Sequence, residues 1–348
     1  MNKDINYSIF FAASPMHLMC IYELHKKKPE RKFQLIIFLK KNDYANSQLY
    51  KTLDLLGFNK FIIFKMYENN ILNYFPLLLL AAKLYKSFNY LNLNIVMIDF
   101  QNSFMHLLRC VFKGATFTLI DDRFNTCVAY EKYLKNKIYL PVDNFKSIRG
   151  TLARLIYFGT DYNNLKNKKI ELFSLYLESF NPNRVTGSRN YLSSIKDKLG
   201  TTFPRQNKDN VFFIGTNNSE SGAMSLADEL FYIEWLNNYW KKKGKNLFYI
   251  AKISSSDSKI SLIKKLNIKV LKFNLPLELA LMNNDFIPGS ICDTGSALLK
   301  TLPILYSSIE YYFVDVTSFY IYKANKDIFD ISKLFCSKQV KRTIVIIR

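Results

Sequence analysis

Short runs of β-branched and aromatic residues alternate along the chain with longer segments in which apolar residues recur every three or four positions. This alternation of strand and helix patterns predicts βαβ units and a mostly parallel sheet. Residues 34–39 are almost continuously apolar, which is typical of strands that are covered on both faces. In the first half we predict strands at residues 7–12, 33–39, 60–64, 94–99 and 115–121, and helices at residues 16–26, 46–56, 73–87 and 102–111.

The pattern is interrupted at residues 180–210, a polar stretch with several Pro and Gly residues that is typical of a linker. A second alternating series follows this stretch, and a length of 348 residues also favours two domains. The second series predicts strands at residues 211–215, 247–251, 270–273, 285–288 and 311–316, and helices at residues 225–241, 258–266, 277–282 and 295–301.

These elements predict an α/β protein with two doubly wound, Rossmann-like domains facing a cleft. We expect the first domain at residues 1–180 and the second at residues 205–325. Residues 326–348 are expected to form a tail that could return to the first domain.

No segment reaches the roughly 20 apolar residues that a transmembrane helix requires. The longest apolar run, residues 75–82, is followed by Lys83 and Lys86. The helix that contains it could be a core element or lie at a membrane interface, and we favour the core. Since the N-terminus lacks the apolar centre of a signal peptide, we expect a cytoplasmic protein, with peripheral attachment to the inner membrane as an option.

The charge of the chain restricts its partners. It has 49 Lys and Arg against 28 Asp and Glu, a formal net charge of +21, which attracts nucleic acid, an anionic membrane or an acidic substrate. The basic residues are dispersed and no nucleic-acid-binding motif is present, so we expect a membrane surface or a phosphorylated acceptor and no nucleic acid. The five cysteines show no C-x-x-C spacing, which indicates neither a disulfide framework nor a zinc site but small core residues.

Two adjacent carboxylates, Asp121 and Asp122, follow the strand predicted at residues 115–121. Ligands of open parallel sheets bind at the carboxyl ends of strands. There the pair could cap the next helix. Alternatively, crowding raises the pKa of one carboxylate and leaves an ionised partner that can serve as a general base. The residues alone leave both interpretations open.

Three further turns contain small and polar residues. After the first strand, Ser14 and Pro15 fit the N-cap and the first position of a helix, whose N-terminus can also bind an anion. In the second half, residues 213–219 and 292–298 each pass from a strand into a loop of Gly, Ser, Thr and Asn. Neither loop is a P-loop or a G-x-G-x-x-G motif, but two of them together favour a nucleotide-binding second domain.

Five short motifs carry a family resemblance. Residues 14–17 resemble a T-P-L-Q type turn and residues 120–123 a strand-end D-D-G motif. Residues 249–251 resemble the strand before an H-P motif, residues 276–278 a P-x-E segment and residues 294–298 an S-S/G-x-A-L motif. In this order they are similar to the bacterial lipooligosaccharide sialyltransferases, glycosyltransferase family 52, whose members have the two-domain GT-B fold.

The resemblance implies an inverting transfer of sialic acid from CMP-sialic acid to a terminal sugar of a surface glycolipid, without a metal or another cofactor. The chain contains no Asp-x-Asp motif, which agrees with a metal-free reaction. Asp122 would be the general base with Asp121 beside it, and the expected acceptor residues of the first domain are Ser14, Pro15, His17 and Arg123. The expected donor residues of the second domain are Gly215, Thr216, Asn217, Lys252, Ser254, Glu278, Thr294, Gly295 and Ser296.

The chain departs from the family pattern at two points. Arg123 stands in place of the glycine of the D-D-G motif. Residues 249–256 contain no histidine, and the three histidines of the chain, His17, His25 and His106, all lie in its first half. Loss of a general acid typically costs a factor of about 10² to 10⁴ in rate. Lys252, the hydroxyls of residues 254–256 or a helix N-terminus could ease departure of the phosphate in its place.

We therefore expect a glycosyltransferase of cell-envelope glycan synthesis, acting on a lipooligosaccharide or a capsule glycan. Two alternatives stay open. One is a related transferase that uses another nucleotide sugar, such as a glucosyltransferase. The other is a catalytically silent GT-B protein that binds a glycan or a nucleotide.

Overall fold

The structure is a computed structural model that describes residues 6–29, 31–39, 41, 43–66, 73–89, 92–141, 162–200, 204–252, 254–284, 286–321, 323–336 and 340–347. The chain divides into two compact units, Met1–Ile195 and Lys196–Arg348. Each unit has its own parallel sheet with helices in the crossovers, so the prediction of two doubly wound α/β domains is confirmed.

The first unit has a seven-stranded parallel sheet of strand order β3-β2-β1-β4-β5-β6-β7. The strands are β1 (Asn6–Ala12), β2 (Lys32–Leu39), β3 (Ile62–Lys65), β4 (Asn92–Met97), β5 (Thr116–Ile120), β6 (Glu171–Ser174) and β7 (Thr186–Arg189). The helices are α1 (Pro15–Lys27), α2 (Asp43–Leu56), α3 (Tyr74–Phe88), α4 (Ser103–Val111), α5 (Asn125–Lys132), α6 (Tyr162–Asn167) and, at the boundary of the units, α7 (Ser193–Leu199).

The second unit has a six-stranded parallel sheet of strand order β10-β9-β8-β11-β12-β13. The strands are β8 (Arg205–Ile214), β9 (Asn246–Ile250), β10 (Lys269–Leu271), β11 (Phe286–Asp293), β12 (Glu310–Asp315) and β13 (Arg342–Val345). The helices are α8 (Leu226–Lys241), α9 (Asp257–Lys265), α10 (Leu277–Ala280), α11 (Leu298–Leu305) and α12 (Lys323–Cys336).

The central strands are buried because helices cover both faces of each sheet. Phe11 of β1 is fully buried, stacks on Phe38 of β2 at 5.6 Å between ring centroids and meets the edge of Phe104 of α4 at 5.9 Å. Four of the five cysteines are buried and all five are free, as expected of core residues. No helix within the described residues is long and apolar enough to cross a membrane.

Two predictions about the ends of the domains need correction. Residues 180–210, predicted as a linker, contain β7, α7 and the start of β8. The strand β7 has no apolar alternation. Its close pairing with β6 requires a glycine at position 187, because a Cβ on Gly187 would lie 2.0 Å from the carbonyl oxygen of Leu172.

The tail, which was expected to return to the first domain, belongs to the second unit. Its strand β13 pairs with β12, with Tyr312 opposite Arg342, so the tail completes the second sheet. The helix α12 packs closely against the same unit at Gly295. A Cβ on Gly295 would lie only 2.5 Å from Oγ of Ser332 in this helix. The φ of Gly295 is 107°, a conformation that also requires glycine.

A buried arginine ties α4 to the segments beside it. Arg109 is 1% exposed and donates to the carbonyl oxygens of Tyr139 (2.5 Å), Leu165 (3.0 Å) and Lys168. It also lies 2.9 Å from Nδ1 of His106. Burial first, and then the charge of Arg109, lower the pKa of His106 to about 3, so its ring is neutral.

We predict that Arg109→Met destabilises the first unit, because it leaves several buried carbonyl groups without a donor. The expected loss is about 3 kcal/mol in the free energy of unfolding. Urea denaturation of the full chain measures it, with Arg184→Met, at an exposed position, as the control. Equal denaturation midpoints for the two variants would contradict a structural role of Arg109.

Candidate active site

The carboxyl ends of β1 and β5 bring His17 and Asp122 together. Nε2 of His17, in the first turn of α1, lies 3.1 Å from Oδ1 of Asp122. The strand β4 lies between β1 and β5 in the sheet, so the pair spans the end of that strand. The sheet reverses its strand order between β1 and β4, which is where open parallel sheets bind ligands.

The start of α1 sets the orientation of His17. Ser14 is the N-cap of the helix and accepts a hydrogen bond from the backbone N–H of His17 (3.3 Å), with Pro15 at the first position, as predicted. Nδ1 of His17 accepts from the backbone N–H of Ala13 (3.2 Å). Because a backbone amide can only donate, the ring proton is assigned to Nε2, the nitrogen that lies 3.1 Å from Oδ1 of Asp122.

Asp122 is a partly exposed, ionised carboxylate. Its side chain is 21% exposed, and Oδ2 accepts a hydrogen bond from Nδ2 of Asn125 at 2.8 Å. Burial alone would raise the pKa of Asp122, but its interaction with His17, the hydrogen bond from Asn125 and the charge of Arg123 outweigh burial. The pKa therefore lies below the ordinary aspartate value, and the group is ionised at neutral pH.

Asp121, by contrast, is fully buried and holds the neighbouring strand. Oδ1 accepts from the hydroxyl of Ser174 and Oδ2 from the backbone N–H of Leu175, both at 2.6 Å. Neither Asp121 nor Asp122 makes the side-chain cap of α5 that the capping interpretation predicts; Phe124 is the N-cap, without a side-chain hydrogen bond. The two carboxylates are thus distinguished by their surroundings, and only Asp122 reaches solvent.

Arg123 occupies the glycine position of the D-D-G motif with the backbone conformation of a glycine. Its φ is 53°, in the left-handed region that glycine adopts at least cost. Its side chain is exposed. Arg123 therefore adds a positive charge beside Asp122.

In the second unit, a buried ionic cluster holds the loop after β8. Nζ of Lys259 donates to Oε1 of Glu229 (2.5 Å), to Oε2 of Glu220 (3.1 Å) and to the carbonyl oxygen of Thr216 (2.7 Å). Oε2 of Glu229 accepts from the backbone N–H of Ser219 (3.0 Å). Lys259 and Glu229 are fully buried. The cluster joins α8 and α9 to the loop that was predicted to approach a nucleotide.

The loops after β8 and β9 also contact each other. Nδ2 of Asn217 donates to Oγ of Ser254, while Oδ1 of Asn217 is buried and accepts no hydrogen bond from the described residues. Gly215 is required at the end of β8, because a Cβ there would lie 2.5 Å from the hydroxyl of Tyr249. Three of the predicted donor residues therefore lie around one strand end.

The loop after β11 closes on its own aspartate. Oδ1 of Asp293 accepts from the backbone N–H groups of Gly295 (2.9 Å) and Ser296 (2.8 Å), and Oδ2 accepts from the hydroxyl of Ser296. Thr294 is buried in the same loop. Gly295 and Ser296, which were expected to bind the donor, thus hold Asp293 in this structure.

Lys252 supplies positive charge near this loop. Burial raises the pKa of Asp293, and the hydrogen bonds from Ser296 and then the charge of Lys252 counteract part of the increase. Lys252 follows β9 and Asp293 ends β11, so the two flank the end of β8, beside the point where the sheet reverses its strand order. Glu278, in α10, is buried, and its Oε1 accepts from Thr301 of α11 (3.0 Å).

Sequence reasoning missed the groups that position these loops. No role was predicted from the sequence for Lys259, Glu229 or Asp293. A signal was available, because a charged residue at a helix or strand position that faces the core indicates a buried polar network. Within the described residues there is no cluster of three or more His, Cys, Asp or Glu that could hold a metal ion.

Comparison with solved structures identifies the fold. An α/β-galactoside α-2,3-sialyltransferase from Photobacterium phosphoreum superposes with a TM-score of 0.54 over 99% of both chains at 13% identity. A UDP-GlcNAc 2-epimerase from Neisseria meningitidis, bound to UDP-GlcNAc, matches with a TM-score of 0.50 over 96% of this chain and 94% of its own at 9% identity. No protein-family model and no curated protein sequence matches the chain. At these identities the likeness shows the fold, the GT-B architecture expected from the sequence.

We predict that Lys259→Met lowers the free energy of unfolding of the second unit, because it leaves Glu229 buried without its cation. Breaking a buried ion pair in this way costs about 3 to 5 kcal/mol. Lys264→Met, at an exposed position of the same helix, is the matched control. Urea denaturation measures both, and a loss of similar size in the two variants would show that the cluster contributes nothing specific.

Proposed function

We propose that the protein is a glycosyltransferase, and that it transfers a sugar with inversion from CMP-sialic acid to a terminal sugar of a lipooligosaccharide or capsule glycan. The observation that carries the proposal is the ionised, partly exposed carboxylate of Asp122, which lies 3.1 Å from His17 at the carboxyl edge of the first sheet. The GT-B fold and the order of the five motifs support it.

In the proposed reaction, Asp122 accepts the proton of the acceptor hydroxyl. As the hydroxyl oxygen bonds to the anomeric carbon, the bond between that carbon and the phosphate oxygen breaks, and its electron pair leaves with CMP. The carboxylate oxygens of Asp122 each retain a free lone pair beyond the contacts with His17 and Asn125. Asp122 can therefore receive the acceptor without losing the contacts that orient it.

The lowered pKa of Asp122 suits this role in one respect and limits it in another. It keeps the carboxylate ionised over the physiological range, so every molecule is ready to accept a proton. It also makes the group a weak base, so proton transfer accompanies bond formation rather than preceding it. In this proposal His17 and Asp121 act by positioning: His17 orients Asp122, and Asp121 holds the adjoining backbone through Ser174 and Leu175.

We assign the donor nucleotide to the carboxyl edge of the second sheet. The free acceptor Oδ1 of Asn217 fits a hydroxyl or amino group of the nucleotide. Lys252 supplies the positive charge for the phosphate, in place of the family's histidine. The groups of Gly295 and Ser296 would reach phosphate only on release from Asp293, so Lys252 and Thr294 are the better candidates in this loop.

The absence of histidine from the second half of the chain favours one further candidate, a protein that binds a nucleotide or glycan without turnover. Transfer from another nucleotide sugar is the nearer alternative, because none of the residues assigned to the donor site distinguishes one sugar from another. A panel of nucleotide sugars with a galactose-terminated acceptor separates these cases. Release of free nucleotide reports turnover, and a change of melting temperature with CMP reports binding.

We predict that Asp122→Asn lowers the transfer rate by a factor of about 10² to 10⁴, since the amide cannot accept the acceptor proton. CMP should raise the melting temperature of this variant as much as that of the wild type. Asp209→Asn, at an exposed position of the second unit, is the control and should keep full activity. Equal rates for the wild type and Asp122→Asn would contradict the assignment of Asp122 as the base. A wild type that transfers no sugar from any donor, yet is stabilised by CMP, would show a binding protein instead of a transferase.

A further inference from the structure

One face of α3 exposes large apolar side chains beside lysines. Phe75 is 69% exposed and Leu79 is 56% exposed. Ala82, Lys83 and Lys86 continue this face at the three- and four-residue spacing of a helix, and all three are exposed. The opposite face is buried in the first unit and consists of Leu77, Leu80, Ala81 and Leu84.

This face differs from a scattered set of exposed apolar residues. Phe75 and Leu79 lie one helical turn apart and form a contiguous apolar end, whereas Lys83 and Lys86 follow at the other end. The helix contains no acidic residue that could pair with these lysines. An amphipathic helix with aromatic and aliphatic residues next to lysines is typical of surfaces that lie in a lipid headgroup region.

The apolar end of α3 lies at the same edge of the sheet as the candidate active site. The ring of Phe88, at the end of α3, contacts the ring of Tyr7, at the start of β1, at 4.9 Å between centroids. The helix therefore ends at the amino edge of the sheet. Phe75 is 13 residues earlier, about 20 Å along the helix axis, at the carboxyl edge where His17 and Asp122 meet.

We propose that this face of α3, defined by Phe75, Leu79, Lys83 and Lys86, docks the protein on an anionic lipid bilayer. Phe75 and Leu79 enter the boundary between headgroups and acyl chains, and the two lysines contact lipid phosphates. The net charge of +21 attracts the whole molecule to such a surface. A second copy of the chain fits less well, because two such faces would bring four lysines together without an acidic partner on either helix.

Membrane binding by this face does not depend on the proposed function, since lipid binding needs neither a donor nor an acceptor. The two proposals are also compatible. A membrane-bound glycolipid would present its sugar at the level of the carboxyl edge, where Asp122 lies.

The test measures co-sedimentation of the full chain with vesicles of phosphatidylglycerol and phosphatidylcholine, and with vesicles of phosphatidylcholine alone. We expect binding to the anionic vesicles only. Phe75→Ser with Leu79→Ser, and separately Lys83→Glu with Lys86→Glu, should each weaken that binding about tenfold or more. Melting temperatures near that of the wild type show that the variants are folded.

Two controls match these variants in the second unit. Leu334→Ser removes an apolar side chain that is 59% exposed, close to the exposure of Leu79. Lys264→Glu with Lys265→Glu, both at exposed positions of α9, changes the net charge by the same −4 as the double reversal in α3. Both controls should bind anionic vesicles nearly as well as the wild type.

Three results would overturn the proposal. The first is the absence of vesicle binding by the wild type. The second is an equal loss in the charge control and in the α3 reversal, which would indicate a non-specific attraction of the basic molecule. The third is a dimer in solution that Phe75→Ser with Leu79→Ser dissociates, because it would make a second copy the occupant of this face.

Discussion

The parallel direction of the strands is the constraint on which the rest of the molecule depends. Every strand that the structure describes in either unit runs parallel to its neighbours, so the chain must cross back between successive strands, and the turns that follow the strands gather at one edge. Residues far apart in the chain, such as His17 and Asp122, meet there because their strands lie close in the sheet. The candidate site residues of each unit therefore lie near its carboxyl edge.

Aspartates recur at these strand ends, and most of them hold backbone. Asp121 holds the end of β6, Asp293 closes the loop after β11, and Asp315 accepts from Thr317 and from Lys333 after β12. Buried carboxylates are stable in such places because backbone N–H groups, hydroxyls and ammonium groups replace the lost water. Asp122 is more exposed than these three: its side chain is 21% exposed, against 11% for Asp315.

The elements of the fold could be predicted from local pattern, and the two sheets contain the strands expected from periodicity, although β8 begins at Arg205 instead of residue 211 and β11 continues to Asp293 instead of ending at residue 288. The strands β6 and β7 were missed because they are four residues long and β7 lacks apolar alternation; only pairing with its neighbour makes it a strand. The tail was misplaced for the same reason, since the partner of β13 is a distant strand. Pairing between distant segments is a property of the folded chain and is not encoded in a local window.

The candidate site was predictable in part. The turn chemistry of Ser14 and Pro15 is local, and it was predicted correctly. The contact of His17 with Asp122 and the capture of the Ser296 hydroxyl by Asp293 depend on tertiary distances, and the sequence gives no measure of those. Arg123 shows the same limit, because a residue type does not reveal that its backbone has the conformation of the glycine it replaces.

The central claim is that His17 holds Asp122 as the ionised carboxylate that accepts a proton. The pH dependence of kcat/KM for transfer, measured for the wild type and for His17→Phe, tests it most directly. Activity should fall on the acidic side as Asp122 becomes protonated, and removal of His17 should raise the pKa of Asp122 and move this fall to higher pH. An acidic limb at the same pH in both proteins would contradict the account.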